Sequence, residues 1–336
     1  MRETNGGSSA ADAGERTGEE LADSGLARNG GDQGALPMTD HTAELDGLPI
    51  FWRRAPQPGN GPVPLYIHGV PSSADEWGAP PRPVRRRRTR RGRRRAEAQL
   101  AAAPAPAVPF LARSGGLAPD LPGFGRSGKG GDRRYTIGEY ERFIEAFLDL
   151  VEVDQVQLVL HDWGAVGLAF AQRHPERVRS LVLIDVIPFL PGYRWHRIAR
   201  LWRTPLLGEL AMGFTTRTVL RAVTRESNVT PGPLPEAWRD SVYEHLDQGT
   251  QRAILRLYRS SPSDVLAAAG EQLATLTAPA LVLWGAADPY IPVRFAHEYA
   301  STLPNAELEI LEDAGHWPWL DRPDTIDRVC SFLAAH

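Results

Sequence analysis

Among the 336 residues, the strongest chemical signal is Asp162 in Leu158-Val159-Leu160-His161-Asp162-Trp163-Gly164-Ala165, where an apolar run changes into a helical pattern. Val156 to Leu160 reads as a strand buried in a parallel sheet, and Val166, Phe170 and His174 follow at helical spacing. A strand that turns so sharply into a helix strains its central residue and lifts that side chain above the sheet. The next residues must be small for the helix to pass, and Gly164 and Ala165 meet that need. The segment departs from G-x-S-x-G twice, with Leu160 at the first glycine and Asp162 at the serine. A serine there would attack an acyl carbon, whereas a carboxylate suits an alkyl carbon, with which it forms an ester.

Four segments in order then resemble the α/β-hydrolase family in its aspartate-nucleophile branches, the epoxide hydrolases and haloalkane dehalogenases. They are His68-Gly69-Val70-Pro71, Asp120-Leu121-Pro122-Gly123-Phe124-Gly125-Arg126-Ser127, the Asp162 turn, and the pair of Asp288 in Trp284-Gly285-Ala286-Ala287-Asp288 with His316 in Ala314-Gly315-His316-Trp317. The resemblance spans Leu65 to about Leu333. It implies an α/β fold with a mostly parallel, doubly wound sheet and an inserted helical cap. It also implies Asp162 as nucleophile, His316 as base and Asp288 as the acid that orients it, in the family's order. The oxyanion hole would be the amides of Val70 and Trp163. Dehalogenases often carry a polar, halide-contacting side chain where Val70 stands; a valine offers only its backbone.

The elements that must position these residues can be read around them. Thr39 to Trp52 reads as a strand pair about an Asp46-Gly47 turn, and Val63–Ile67, Leu117–Leu121, Arg179–Asp185, Ala280–Trp284 and Glu307–Leu311 as further strands. Thr136 and Glu139 form a capping box for a helix that buries Ile137, Tyr140, Ile144, Phe147, Leu148 and Val151. The core is expected over 38–187 and 277–336, and the cap over 188–276, where helical, Trp- and Arg-rich sequence replaces the alternation of strand and helix. Residues 1–37, with three Arg against seven acids, read as a disordered extension, and Met38 as the true start. Residues 78–109 read as a disordered Arg-, Pro- and Ala-rich insertion with ten arginines between 82 and 95. No aromatic residue is interleaved with those arginines, which disfavours a nucleic-acid role. Removing the tail's −4 and the tract's +10 from the overall −3 leaves −9 on the rest.

The single cysteine, Cys330, excludes an internal disulfide, no apolar run is long enough for a membrane span, and the N-terminus offers no apolar core of a signal peptide. The expected compartment is the cytoplasm. No cofactor is expected, because Gly123 to Gly128 fits a dinucleotide fingerprint in its letters but opens no helix. No metal is expected either, since no His/Asp pair has ligand spacing. The expected partners are a small apolar organic substrate and water. Cap aromatics offered for substrate contact are Tyr193, Trp195, Trp202, Trp238, Tyr243 and Tyr258. Leu255-Arg256-Leu257-Tyr258-Arg259 resembles the epoxide-hydrolase segment whose tyrosine protonates the opening oxirane, with Tyr193 as the nearest second tyrosine and Trp163 as a halide contact. His161, Val70 and Tyr258 favour epoxide hydrolysis to a diol, whereas Leu160, Trp163 and the cap tryptophans are compatible with dehalogenation. A third reading is an inactive fold that binds a partner through the arginine tract.

Overall fold

The computed structural model of the protein describes residues 35–59, 61–78, 110–229 and 234–336. All of these lie in the second of the chain's two units, Gly34–His336. The expected tail through residue 34 and the arginine-rich insertion from 79 to 109 lie outside the described residues. The backbone is already tied to the core at Leu36, whose amide donates to the Ala112 carbonyl at 2.7 Å, two residues before Met38.

One eight-stranded sheet carries the site. Its strands are β1 (Thr39–Leu45), β2 (Leu48–Ala55), β3 (Val63–Ile67), β4 (Gly116–Pro119), β5 (Val156–His161), β6 (Val178–Ile184), β7 (Ala280–Gly285) and β8 (Ala306–Leu311). The spatial order is β1-β2-β4-β3-β5-β6-β7-β8. The β1–β2 and β2–β4 pairs are antiparallel and the remainder parallel. Asp46 and Gly47, at φ 50° and 71°, close the first hairpin in the left-handed geometry that a two-residue turn requires.

Two strands end earlier than the sequence suggests. The structure has β4 stop at Pro119 because the Leu121 amide turns away to His68 Nε2, at 3.0 Å. Likewise β6 stops at Ile184 because Asp185 takes φ 42°, outside the extended region. After β3 the chain runs to β4 on one side and then to β5 on the other. In open α/β sheets the crevice at the carboxyl ends of such a switch point is where ligands bind.

Side-chain alternation along the strands feeds two apolar layers. Leu65, Ile67, Leu158, Leu160, Leu181 and Leu183 join one cluster, and Tyr66, Val159, Val182, Leu281 and Leu283 the other. Helices α1 (Phe110–Ser114), α2 (Ile137–Leu150), α3 (Val166–Arg173), α10 (Arg294–Thr302), α11 (Pro318–Asp321) and α12 (Asp324–Ala335) belong to this doubly wound body. Thr136 caps α2, its hydroxyl accepting from the Glu139 amide at 3.2 Å while Glu139 accepts from the Thr136 amide. Val151 caps the other end of α2 and is only partly buried; Phe143 is buried in that face instead. Between β6 and β7 run α4 (Arg197–Arg203), α5 (Leu207–Gly213), α6 (Arg217–Val223), α7 (Glu236–His245), α8 (Gln248–Ser260) and α9 (Ser263–Ala268), in the region expected to form the cap.

Candidate active site

Asp162 follows β5 directly and has φ 49°, a strained value for a residue with a side chain. Residues Asp162–Ala165 form one 3-10 turn before α3. A Cβ on Gly164 would stand 2.3 Å from the Ile67 carbonyl oxygen, so only glycine lets this turn pass β3. Gly69 is equally constrained, since a Cβ there would come within 2.6 Å of the Asp162 Cβ. That close approach brings the Val70 amide to Asp162 Oδ1, to which it donates at 2.8 Å, and the Trp163 amide donates to the same carboxylate. Burial pushes the Asp162 carboxyl above its usual range, and His316, His161 and these two amides offset part of that rise. The second oxygen, Oδ2, faces His316 Nε2 across 3.8 Å.

His316 lies on the loop after β8, and its Nδ1 is 2.8 Å from Asp288 Oδ2. Asp288 stands in the turn after β7, where its Oδ1 accepts the amides of Tyr290 at 2.6 Å and Ile291 at 3.1 Å. Those two bonds fix the carboxylate, which in turn fixes the imidazole with Nδ1–H donating and Nε2 turned towards Asp162. Burial disfavours a charged His316, but the Asp288 and Asp162 carboxylates outweigh it and raise its pKa above the ordinary value. The Tyr290 ring meets His316 edge-on at 5.0 Å, and its hydroxyl pairs with Ser227 Oγ at 2.9 Å. Behind Asp288 stands Asp185, fully buried, whose oxygens accept the Gly285 amide at 3.1 and 3.3 Å.

An aromatic wall rises from Trp163. Its indole stacks on Trp195 at 5.6 Å, and Tyr258 meets Trp163 at 5.2 Å and Trp195 at 4.9 Å. Tyr193 is edge-on to Trp195 at 5.1 Å, and Trp202 to Tyr258 at 5.1 Å. The Trp195 indole donates to the Ser261 carbonyl at 3.1 Å, whereas the buried Trp163 Nε1 lies by the Tyr258 hydroxyl without a well-formed hydrogen bond. Burial first and Asp162 second hold the Tyr258 hydroxyl far above its usual pKa, so it stays protonated. Tyr193 is raised by the same two causes, and its hydroxyl reaches the Tyr290 carbonyl at 3.5 Å. Trp238 packs on Trp317 at 4.9 Å and Tyr243 under the Arg217 guanidinium, so neither joins this wall. His68 is a scaffold residue, accepting the Leu121 amide and bonding Gly69 O.

The structure thus brings together Asp162, Asp288, His316, Val70, Trp163, Tyr258, Tyr193 and Trp195. Sequence reasoning missed Glu76, Asp185 and Tyr290. An acid ending the apolar run Leu181-Val182-Leu183-Ile184 was a usable signal for Asp185, because it falls at the sheet's carboxyl edge. Glu76 and Tyr290 gave none. Among the described residues, no group of three or more His, Cys, Asp or Glu is placed to hold a metal, and no helix is long and apolar enough to cross a membrane.

A carboxylate on a strained strand-to-helix turn, two backbone amides aimed at it and an Asp-oriented imidazole opposite define a hydrolase site built on an α/β sheet. The chain belongs to the alpha/beta hydrolase fold family, whose sequence model matches residues 101–323. It is similar to a haloalkane dehalogenase of Mesorhizobium japonicum, 28% identical over 82% of this chain and 85% of the relative. A 2-hydroxymuconate semialdehyde hydrolase of Pseudomonas putida is also 28% identical, over 65% of this chain and 76% of its own length. Among solved structures, an inferred ancestral haloalkane dehalogenase matches with a TM-score of 0.68 at 26% identity, covering 88% of this chain and 98% of that one.

Proposed function

We propose that this hydrolase is a haloalkane dehalogenase, which displaces halide from an sp³ carbon through an ester on Asp162. The dehalogenase relatives favour this reading over the epoxide hydrolysis that the sequence alone suggested. The observation that carries it is the Trp163 indole N–H, buried beside the carboxylate with only the Tyr258 hydroxyl near it and no well-formed hydrogen bond. A fully unpaired buried donor costs about 1–3 kcal/mol and a poorly paired one part of that, and a departing halide is an acceptor that would relieve the cost. Val70 offers no side-chain donor, so the second contact to halide falls to the Tyr258 hydroxyl on the same wall.

In the first step Asp162 Oδ2 attacks the carbon, the carbon–halogen bond breaks with its electron pair, and the halide leaves towards Trp163. In the second, His316 Nε2 takes a proton from water, and the hydroxide attacks the ester carbonyl of Asp162. The amides of Val70 and Trp163, already directed at this carboxylate, stabilise the oxyanion. Collapse returns the carboxylate and releases an alcohol, and His316 gives up its proton to solvent. Across the cycle, alkyl halide and water become alcohol, halide and a proton. The helices between β6 and β7 act as the cap, with Trp195, Tyr258 and Tyr193 excluding bulk water.

A second reading rests on Tyr258, a protonated phenol near Asp162 that could donate to an opening oxirane. Intact-mass measurement on a His316→Gln variant separates the two, since blocking the second step traps the ester. With 1-haloalkanes, a mass gain equal to the alkyl group without its halogen is expected. A gain equal to a whole epoxide, seen only with epoxides, would transfer the proposal to ring opening. A folded variant that gains no mass from either would overturn both.

A further inference from the structure

Helix α5 reverses the usual polarity of a surface helix, because its outward side is apolar. Its inward positions are Gly208 and Met212, four apart and buried. A Cβ on Gly208 would stand 2.5 Å from the Trp202 carbonyl oxygen and 2.9 Å from Leu255 Cδ2, so this side is pressed against α4 and α8. Leu207, Leu210 and Phe214 stand at i, i+3 and i+7, which at 3.6 residues per turn is one face, opposite Gly208 and Met212. Leu206 precedes them. Leu206, Leu207, Leu210 and Phe214 are 77%, 51%, 57% and 72% exposed. Leu201 on α4 and Val219 and Val223 on α6 are exposed as well. Single exposed apolar side chains are ordinary, whereas a grouped set marks a contact surface.

The charges around this face have one dominant sign. Between residues 194 and 226 stand seven arginines against two glutamates, a net +5, although the chain outside its tail and arginine tract carries −9. Both glutamates are engaged, Glu209 with Arg259 at 2.6 Å and Glu226 with Arg197 at 3.5 Å. The second pair draws the end of α6 to the start of α4. Arg200, Arg221 and Arg225 are exposed and make no ion pair among the described residues.

We propose that this face of α4, α5 and α6 docks the protein on an anionic lipid surface. Leu206, Leu207, Leu210 and Phe214 enter the apolar layer, and Arg200, Arg221 and Arg225 meet the headgroups. Interfacial helices bind through buried apolar area together with attraction to anionic lipid, and both are present here. The four apolar side chains offer no hydrogen-bonding group, so they suit an apolar medium better than the polar-rimmed surface of a folded partner. A second copy also fits poorly, since a two-fold contact would set the same arginines against one another. The docking does not depend on which bond the active site breaks.

Co-sedimentation of the full chain with lipid vesicles tests this. The wild type should pellet with mixed phosphatidylglycerol and phosphatidylcholine vesicles, less so at high salt, and stay in solution with phosphatidylcholine alone. Leu206→Ser, Leu210→Ser and Phe214→Ser combined should weaken binding about tenfold or more. These side chains are exposed, so the thermal unfolding midpoint should not move, and Phe214→Trp should bind like the wild type. The triple serine variant keeps the arginine tract, so unchanged binding would overturn the proposal and assign the lipid contact to that tract. Arg200→Gln, Arg221→Gln and Arg225→Gln combined should bind more weakly and with less dependence on salt. This variant decides the matter if the serine variant is destabilised, and an unaltered salt dependence would overturn the headgroup contact. Equal binding to phosphatidylcholine alone would do the same. A wild type that ignores anionic vesicles would overturn the whole proposal, as would a wild-type dimer that the serine substitutions split, which would give the face to a second copy.

Discussion

Trp163 serves the site in three ways: its backbone amide bonds the Asp162 carboxylate, its ring packs on Trp195, and its indole N–H lies by the Tyr258 hydroxyl without a well-formed hydrogen bond. Replacement by phenylalanine separates these roles, since it keeps the amide and an aromatic ring but deletes the donor. The smaller ring leaves a void, while loss of the poorly paired donor removes a cost, so unfolding free energy should change by no more than about 1 kcal/mol. Haloalkane turnover should fall roughly 100-fold, the usual result of removing one donor to developing charge. Unchanged haloalkane kinetics in Trp163→Phe would refute the halide assignment. Asp162 stood out in the sequence by its own strand-to-helix turn, whereas Asp288, His316, Val70 and Trp163 were pointed to only by the resemblance of the short segments that hold them. Glu76 and Tyr290 were not, because what matters about them is contact across the fold: Glu76 meets Trp317, 241 positions away, and Tyr290 meets Ser227.

At the scale of elements, the strands and the α2 capping box were readable from alternation and from Thr136 with Glu139, while the latch between the segment 227–229 and the His316 loop was not. That latch is Asp321, at the end of α11. Its Oδ2 accepts the Gly315 amide at 2.9 Å, and the Asn228 side-chain amide and Val229 amide at 3.0 Å each. Nearby, the His316 amide donates to the Ser227 carbonyl at 2.8 Å, so the segment 227–229 and the His316 loop are held as one piece. Asp321→Ala leaves the donors on both segments without this carboxylate and should cost about 2 kcal/mol in urea unfolding. It should also speed amide exchange at 227–229 and 315–316 and lower turnover, because His316 loses its fixed approach to Asp162. Stability lost with no change in exchange at those amides would show that the two segments are not coupled through this residue.

Across the whole molecule, the site collects buried carboxylates that respond to pH in opposite directions, and Asp185 isolates one of them. Burial, and then the Asp288 carboxylate against it, push Asp185 well above the usual carboxylate range. In the folded protein it therefore holds a proton between its own oxygens and Asp288, while in the unfolded chain at neutral pH it is ionised. A group raised on folding contributes stability that is fully present below its unfolded pKa, near 4, and is lost as pH rises through the folded value. Asparagine reproduces the neutral acid: its carbonyl can accept the Gly285 amide, and its NH₂ can donate to Asp288. Asp185→Asn should thus equal the wild type in stability at about pH 4 and exceed it progressively towards pH 8, with His316 still oriented by Asp288. Thermal unfolding across that range measures the difference directly. Parallel curves for the two proteins would mean that Asp185 is ionised in the fold, leaving two adjacent buried anions behind His316.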